Sequence, residues 1–347
     1  MPDLPGQQAL KYLIIRAVLN AIAFSGAQRR WPSAGGRGVV FTLHHVRPAS
    51  GQSYDPNALL SVTPDFLDLA IQASIEAGLV PVAVDDLPKL LSDPADRRRF
   101  VSFTLDDGYR NNAEHAAPVF RRHGVPYTIF ITKGFVERTR SLWWETAAAL
   151  TAQEERITFD FGQGTEELDL KTDLRKHEAF TRFSAFVAGA DEDEAVRRID
   201  DLARQRGIDP LAITAGLTMD AEELRDLARD PLARFGAHTL THVNLRRVSQ
   251  KRLEEEIIRS AEAVEGYVGR YPNAFAYPYG FAAAVGDREV EATAKAGFAV
   301  AVTTQPGVLG PDVLRRPTAV DRVSLNGFFQ KKRYVEALLS GLAFKLI

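Results

Sequence analysis

Two carboxylates stand side by side in FTLDDGYRNN, at Asp106 and Asp107, and two imidazoles stand four residues apart in GAHTLTHVNL, at His238 and His242. Adjacent carboxylates can divide labour: one holds a metal ion while the other, kept off it, takes a proton from water. Imidazoles at this spacing fall on one side of a helical turn and can reach a single ion. Asp107 with the two histidines makes three ligands and leaves positions open for water and substrate, which suits zinc or another divalent first-row ion. Each motif also has a plainer reading. Asp-Gly is a common hairpin turn, Asp caps helices, and a His-x-x-x-His pair is often a solvated helix face.

Two further clusters carry polar or aromatic groups. TLHHVRP holds His44 and His45, either of which could protonate a leaving amine. Alternation along a strand sends the two rings in opposite directions, so at most one of them serves a site. FAYPYG holds Tyr277, Pro278, Tyr279 and Gly280, a rigid turn able to aim a backbone N–H at an oxyanion and to set an aromatic wall beside a sugar ring. By itself it is also an ordinary turn after a buried strand.

All four clusters directly follow apolar runs that read as strands. GVVFTL (38–43), LVPVAV (79–84), FVSFTL (100–105), YTIFI (127–131), ARFGA (233–237), NAFAY (273–277) and FAVAV (298–302) are continuous rather than alternating, as strands buried on both faces are. A shorter strand is expected near Val313 to Arg315. Helical patterns lie between, started by Thr63 with Pro64, by Thr218, by Ser249 and at Asp287. Repeated β-α alternation implies a parallel sheet or barrel, and seven or eight strands favour an α/β fold of the distorted (β/α) barrel type. Chemistry in such barrels sits at the C-terminal strand ends. Residues 135–217 break the rhythm and read as a mostly helical insertion. The expected organisation is an N-terminal amphipathic helical segment (1–36), the barrel (37–330) and a C-terminal apolar helix (331–347).

The chain has 347 residues, a net charge of −2 and a pI near 6.4, which gives no footing for a nucleic-acid partner. It has no cysteine, so disulfides and thiolate metal sites are excluded. The N-terminal apolar stretch starts late and is interrupted by Lys11 and Arg16, unlike a signal peptide, and it is too short and charged to span a bilayer. A cytoplasmic protein is expected. Leu10, Leu13, Ile14, Val18 and Ile22 form a helical stripe that either docks on the barrel or lies on a membrane surface, and the C-terminal segment poses the same choice.

Together the four clusters resemble the polysaccharide deacetylases of the NodB-homology type, carbohydrate esterase family 4, from about Val39 to Arg316 without the insertion. Thr104-Leu105-Asp106-Asp107-Gly108 is similar to the family's Thr-Phe-Asp-Asp-Gly, and His238-Thr239-Leu240-Thr241-His242 to its His-(Ser/Thr)-x-x-His. The resemblance implies metal-dependent removal of N-acetyl groups from amino sugars of a chitooligosaccharide or poly-N-acetylglucosamine-like glycan. It implies Asp106 as general base, and Asp107, His238 and His242 as ligands of a divalent ion, zinc first, with cobalt, nickel or manganese as alternatives. The family's third motif carries an arginine ahead of Pro-Tyr. Here Phe275-Ala276-Tyr277 precede Pro278-Tyr279, so a base-tuning arginine must come from elsewhere, and Arg316 is the candidate. No histidine follows His242, so the family's late Leu-x-His is missing. In a branch that includes poly-N-acetylglucosamine deacetylases, a first-strand Tyr-His-x-Val supplies the acid instead. Leu43-His44-His45-Val46 is similar to it, which assigns the acid to His44. The Tyr279 N–H is expected at the oxyanion, with Tyr109, Tyr277, Pro278 and Arg316 along the substrate. Rival readings are a deacylase or deformylase of a lipid-linked sugar, and a carbohydrate-binding relative without catalysis.

Overall fold

The structure is a computed structural model that describes residues 6–26 and 31–346. Its centre is a parallel sheet of eight strands: β1 (Gly38–Leu43), β2 (Leu79–Pro81), β3 (Arg99–Leu105), β4 (Tyr127–Ile131), β5 (Ala233–Ala237), β6 (Ala274–Ala276), β7 (Val300–Val302) and β8 (Val323–Ser324). Their order is β7-β6-β5-β4-β3-β1-β8, with β2 paired to the start of β3. Val302 bridges to Val320, and Phe41 pairs with Val323. The segment 320–324 therefore spans the gap between β7 and β1, curling the sheet into a distorted barrel. The expected strand near Val313 is a helical turn, Asp312–Arg315, set between Pro311 and Pro317. The last barrel strand lies further on, at Val323–Ser324.

Alternation along the strands sorts the side chains. Val40, Phe100, Phe130, Ala276 and Val302 pack in the barrel interior, while Phe41, Phe103, Ile129 and Phe235 pack under the helices. The interior faces of β1 and β3 continue through Thr42 and Thr104, which are register partners, to His44 and Asp106 just beyond the strand ends. Gly236 serves the same interior. A Cβ there would lie 2.3 Å from Phe130 Cε1 and 2.8 Å from the Ala274 carbonyl.

Between β4 and β5 the chain leaves the barrel. It forms helices Trp143–Gln153, Asp173–Gly189, Glu192–Gln205 and Pro210–Leu217, together with an antiparallel hairpin, Arg156–Asp160 with Thr165–Asp169. This part has its own apolar cluster, which reaches back to Tyr109 and Phe135.

Helix Gly6–Ser25 docks on helix Lys332–Leu339 by only part of the expected stripe, Val18 and Ile22. Tyr12, Ile15, Val18, Leu19 and Ile22 pack with Phe329, Tyr334 and Ala337, while Leu10, Leu13 and Ile14 are exposed. Residues 1–5 and 27–30 and Ile347, part of the expected terminal segments, lie outside the described residues. Among the described residues no helix is long and apolar enough to cross a membrane.

Two glycine substitutions should move stability in opposite directions. Gly236→Ala overpacks Phe130 and should cost about 1–3 kcal/mol. Gly266→Ala, in an exposed helix interior with nothing within 4 Å of the new Cβ, should add about 0.5–1 kcal/mol. Urea denaturation of both variants checks the barrel register; a Gly236→Ala protein as stable as wild type would contradict it.

Candidate active site

The Asp-Asp motif leaves β3 through a backbone that few residues adopt. Asp107 has φ 71° and is followed by Gly108 at φ 67°. The chain then enters a helix whose first part, Asn112–Ala116, is π-wound. That turn and the residue that caps it carry the two asparagines that hold the other strand end. Asn111 donates to His45 Nδ1 (2.8 Å) and accepts from the Val46 N–H (3.0 Å), and Asn112 donates to the His44 carbonyl (2.7 Å).

His238 and His242 do not share a helical turn. The loop after β5 turns through Thr239 (φ 68°) and His242 (φ 56°), and this brings both rings to one point. Glu256, from helix Gln250–Val268, fixes the loop: its carboxylate accepts from the Leu240 N–H (2.8 Å), the Thr241 N–H (3.0 Å) and the Thr241 hydroxyl (2.6 Å). Of the five described non-glycine residues at positive φ, four are Asp107, Thr239, His242 and Tyr279. Strain of this kind persists only where surrounding contacts enforce it, and it collects at working sites.

Asp107 Oδ1 lies 3.5 Å from His238 Nε2 and 3.4 Å from His242 Nε2. Tetrahedral ligands about 2.0–2.2 Å from a zinc ion sit about 3.4 Å apart, so the spacing fits one ion. Asp107 Oδ1 is buried and has no hydrogen-bond partner among the described residues, an orphan that a cation would satisfy. His238 donates from Nδ1 to the Ala276 carbonyl (2.7 Å), which leaves the Nε2 lone pair facing Asp107. Phe135, Trp144 and Tyr279 ring the His242 imidazole. Burial pushes both imidazoles towards the neutral, ligating form. Burial, then the charges of Asp106 and Glu145, push the Asp107 carboxyl well up. A divalent ion would offset that cost.

Asp106 has the opposite environment. Burial disfavours its charge, but the buried Arg322 guanidinium outweighs this and holds the carboxyl well below the usual carboxylate range. Arg322 Nη1 and Nη2 reach Oδ1 and Oδ2, each at 2.7 Å, while Nη1 also donates to Thr104 (3.0 Å) and Nε to the Thr303 carbonyl (2.7 Å). Each carboxylate oxygen has two lone pairs, so this fork leaves acceptor capacity for a water. Arg316 does not fill the expected place. It is exposed and pairs with Asp287 (2.6 Å). The arginine on Asp106 is Arg322, a lone cation in the run Val320-Asp321-Arg322-Val323.

His44 and His45 diverge as alternation requires. The His44 ring is half-buried and feels Asp106, Arg322 and His238. Burial draws its pKa down to about 4, against the pull of Asp106. His45 is buried, stacks on Tyr109 with centroids 3.6 Å apart, and faces Glu145 at 3.4 Å. Tyr109 is buried too, with its hydroxyl accepting from Trp144 Nε1 (2.9 Å), so it supports the site from behind and does not face substrate. Tyr277 is likewise a core residue, its hydroxyl on the Thr318 carbonyl (2.8 Å), and Pro278 is buried beside it. Tyr279, at φ 64°, turns its ring to His242, and its hydroxyl donates to Glu192 of the insertion (2.6 Å). Among the described residues no acceptor meets the Tyr279 N–H. Trp143, Glu145 and Glu192, which roof the site from the insertion, carry no contiguous motif in the sequence.

A parallel barrel with an acid pair and a His-x-x-x-His loop at its strand ends defines a hydrolase architecture, and comparison gives it a family. The polysaccharide deacetylase family profile matches residues 93–301. The chain belongs to the polysaccharide deacetylase family and is a carbohydrate N-deacetylase. No curated protein sequence matches it significantly. Among solved structures it is similar to the Streptococcus pyogenes deacetylase PplD in complex with acetate, with a TM-score of 0.54 and 15% identity over 84% of this chain and 93% of that one. It is similar to IcaB from Ammonifex degensii, with a TM-score of 0.53 and 17% identity over 86% and 96%. The putative polysaccharide deacetylase BA0330 from Bacillus anthracis gives 0.53 and 16% over 86% and 68%. At these identities the likeness is one of fold.

Arg322→Met strands a buried carboxylate and should cost about 3–5 kcal/mol. The sign with pH follows from the depressed Asp106 pKa. Its contribution is full above the unfolded carboxyl value of about 4 and is lost as pH falls through the lower folded value. Wild type should keep this increment through mild acidification. In Arg322→Met the carboxyl titrates upward, so the acidic limb of the pH-rate profile should move to higher pH. An unmoved limb would remove Arg322 from control of Asp106.

Proposed function

We propose that the protein removes the N-acetyl group from an N-acetylated amino sugar in a glycan, using a divalent metal ion. The observation that supports this most is the pairing of opposite environments on neighbouring carboxylates. Arg322 keeps Asp106 ionised, whereas Asp107 is orphaned between two neutral imidazoles.

Asp107, His238 and His242 would hold the ion, zinc by the donor set, with cobalt, nickel or manganese as alternatives. Bound there, it supplies Lewis-acid polarisation of the acetamide carbonyl and lowers the pKa of water towards about 7. Asp106 accepts the proton of the attacking water. The Tyr279 N–H is aimed by the strained turn and donates to the oxygen on which negative charge develops. His44 gives a proton to the departing amine, a step amides need because their nitrogen leaves poorly as an anion. The ring takes that proton from solvent before water adds, while Asp106 is still ionised and favours the imidazolium, and the proton that Asp106 accepts returns to solvent after the products leave. The products are acetate and a free amino sugar. A cleft of about 280 Å³ beside Tyr279, lined by Trp143, Val187, Ala188, Glu192 and Phe281, offers aromatic and aliphatic walls for the adjoining sugar. Deacylation of a lipid-linked sugar is the second reading, favoured by the exposed apolar side chains of helix Gly6–Ser25.

Acetate release from N-acetylglucosamine oligomers and polymers, with and without zinc, tests the activity. Asp106→Asn should bind zinc normally and lose on the order of a hundredfold in turnover, while His238→Ala should lose zinc and activity together. Full zinc occupancy in His238→Ala, or unimpaired turnover in Asp106→Asn, would overturn the assignment.

The two first-strand histidines separate by substrate. His44→Ala should depress hydrolysis of amides far more than of activated esters, whose leaving groups need no proton. His45→Ala should affect both alike, through lost packing against Tyr109 and Glu145. The reverse pattern would transfer the acid role to His45.

A further inference from the structure

Helix Gly6–Ser25 is apolar on two opposite faces. One is spent on Phe329, Tyr334 and Ala337. The other carries Leu10, Leu13, Ile14, Ala17, Ala21 and Phe24, which recur at three- and four-residue spacing and fall within about 100° of the helix circumference. All six are exposed, Leu10 by 59%, Leu13 and Ile14 by 52% and Phe24 by 78%. A helix docked on a soluble barrel should present charged or polar residues there. Trp31 extends the apolar surface. It is 55% exposed and borders a cleft of about 510 Å³ shared with Ala21, Ile22, Leu342 and Lys345.

The sequence of this helix and its flanks is basic, in a chain whose net charge is −2. Between Asp3 and Asp55 the sequence has no carboxylate; Lys11 and Arg16 stand on the helix itself, while Arg37 and Arg47 are engaged elsewhere, on the Arg98 carbonyl and on Ser61 with Asp55. The C-terminal stretch adds Lys331, Lys332, Arg333 and Lys345 against Glu336. Arg333 reaches the helix itself, with Nε on Asn20 Oδ1 (3.0 Å) and its guanidinium carbon 5.7 Å from the centre of the Phe24 ring. Lys332 is held by Glu76.

We propose that this outer face docks the protein on an anionic lipid surface, with the six apolar residues and Trp31 in the interfacial layer and the basic side chains on lipid headgroups. Apolar insertion and attraction of cations to anionic lipid are the two terms that hold a helix in the membrane plane. A second copy of the chain is a poorer occupant. A two-fold pairing of the helix would bring Lys11 and Arg16 of each copy towards the other, with no carboxylate on either helix to pair them. The inference does not depend on which sugar is deacetylated. It predicts that the enzyme meets its glycan at a membrane surface, where a lipid-linked or membrane-proximal chain is presented.

Co-sedimentation with vesicles tests it. The full chain should pellet with phosphatidylglycerol–phosphatidylcholine vesicles, bind pure phosphatidylcholine on the order of tenfold less, and be released by high salt. The triple variant Leu10→Gln, Ile14→Gln, Phe24→Gln alters only exposed side chains. It should keep the wild-type melting temperature and its activity on soluble oligosaccharides, and lose on the order of tenfold or more in vesicle binding. Absence of binding to anionic vesicles by wild type, undiminished binding by the triple variant, or a wild-type dimer that the variant dissolves would overturn the proposal. Vesicle binding needs no turnover, so its failure is distinct from failure of the deacetylase reading.

Discussion

The buried ion pair between Arg322 and Asp106 is the constraint on which the rest of the site turns. A carboxylate removed from water inside a barrel would take up a proton, and a protonated Asp106 could accept nothing. Both terminal guanidinium nitrogens of Arg322 are committed to it, and Nε holds the Thr303 carbonyl at the end of β7. The same side chain therefore keeps Asp106, the proposed base, charged and ties β8 to β3 and β7 at the point where the barrel closes. Fold closure and chemistry are coupled through one residue. Within the short segment 320–324, Val320, Arg322 and Val323 are the buried residues.

Around that pair the backbone is bent to aim side chains that regular structure would misdirect. Strand alternation delivers His44, Asp106 and His238 to the interior face without distortion. Asp107, His242 and Tyr279 come from the opposite parity or from beyond the strand, and each reaches the site through a left-handed residue. The supports are specific: the asparagines of the π-turn for the first strand end, Glu256 for the histidine loop, and Glu192 with Trp143 for the Tyr279 turn. Two of those last supports come from the insertion. Its helices thus do more than fill space beside the barrel; they fix the wall nearest His242.

What was legible in the sequence follows the same division. Seven of the eight barrel strands could be read because each is an apolar run, whereas β8, a two-residue strand after Asp321-Arg322, could not; the acid pair and histidine pair could be read because each motif is contiguous. The divergence of His44 and His45 needs only the two-residue period of a strand. Arg322 could not be placed, since it meets Asp106 across 216 positions of sequence and its role exists only once the barrel closes. Arg316 looked equivalent in one dimension and lies on the surface in three. Tyr277 and Tyr109 looked like aromatic walls, but Tyr277 shares the outward parity of Phe275 and Tyr109 is drawn into the insertion's apolar cluster. On helix Gly6–Ser25 the expected stripe mixed Val18 and Ile22 of the packed face with Leu10, Leu13 and Ile14 of the exposed one, because a helix with two apolar faces offers no period by which to separate them.

The electrostatics of the closed site can be followed one charge at a time. Asp106 and Arg322 cancel. Asp107 then stands alone, and in the low dielectric beneath Trp144 and Tyr109 its ionisation is opposed by burial, by Asp106 and by Glu145. Neutral imidazoles on either side supply lone pairs but no positive charge. A monovalent cation would only neutralise Asp107 and leave nothing for the reaction. A divalent ion held by Asp107, His238 and His242 would leave one net positive charge, to set against the negative charge that the proposed reaction develops on an acetamide carbonyl oxygen. The donor set and the charge count would both suit a divalent ion, and in the proposed reaction the Tyr279 N–H would add a fixed dipole where that negative charge appears.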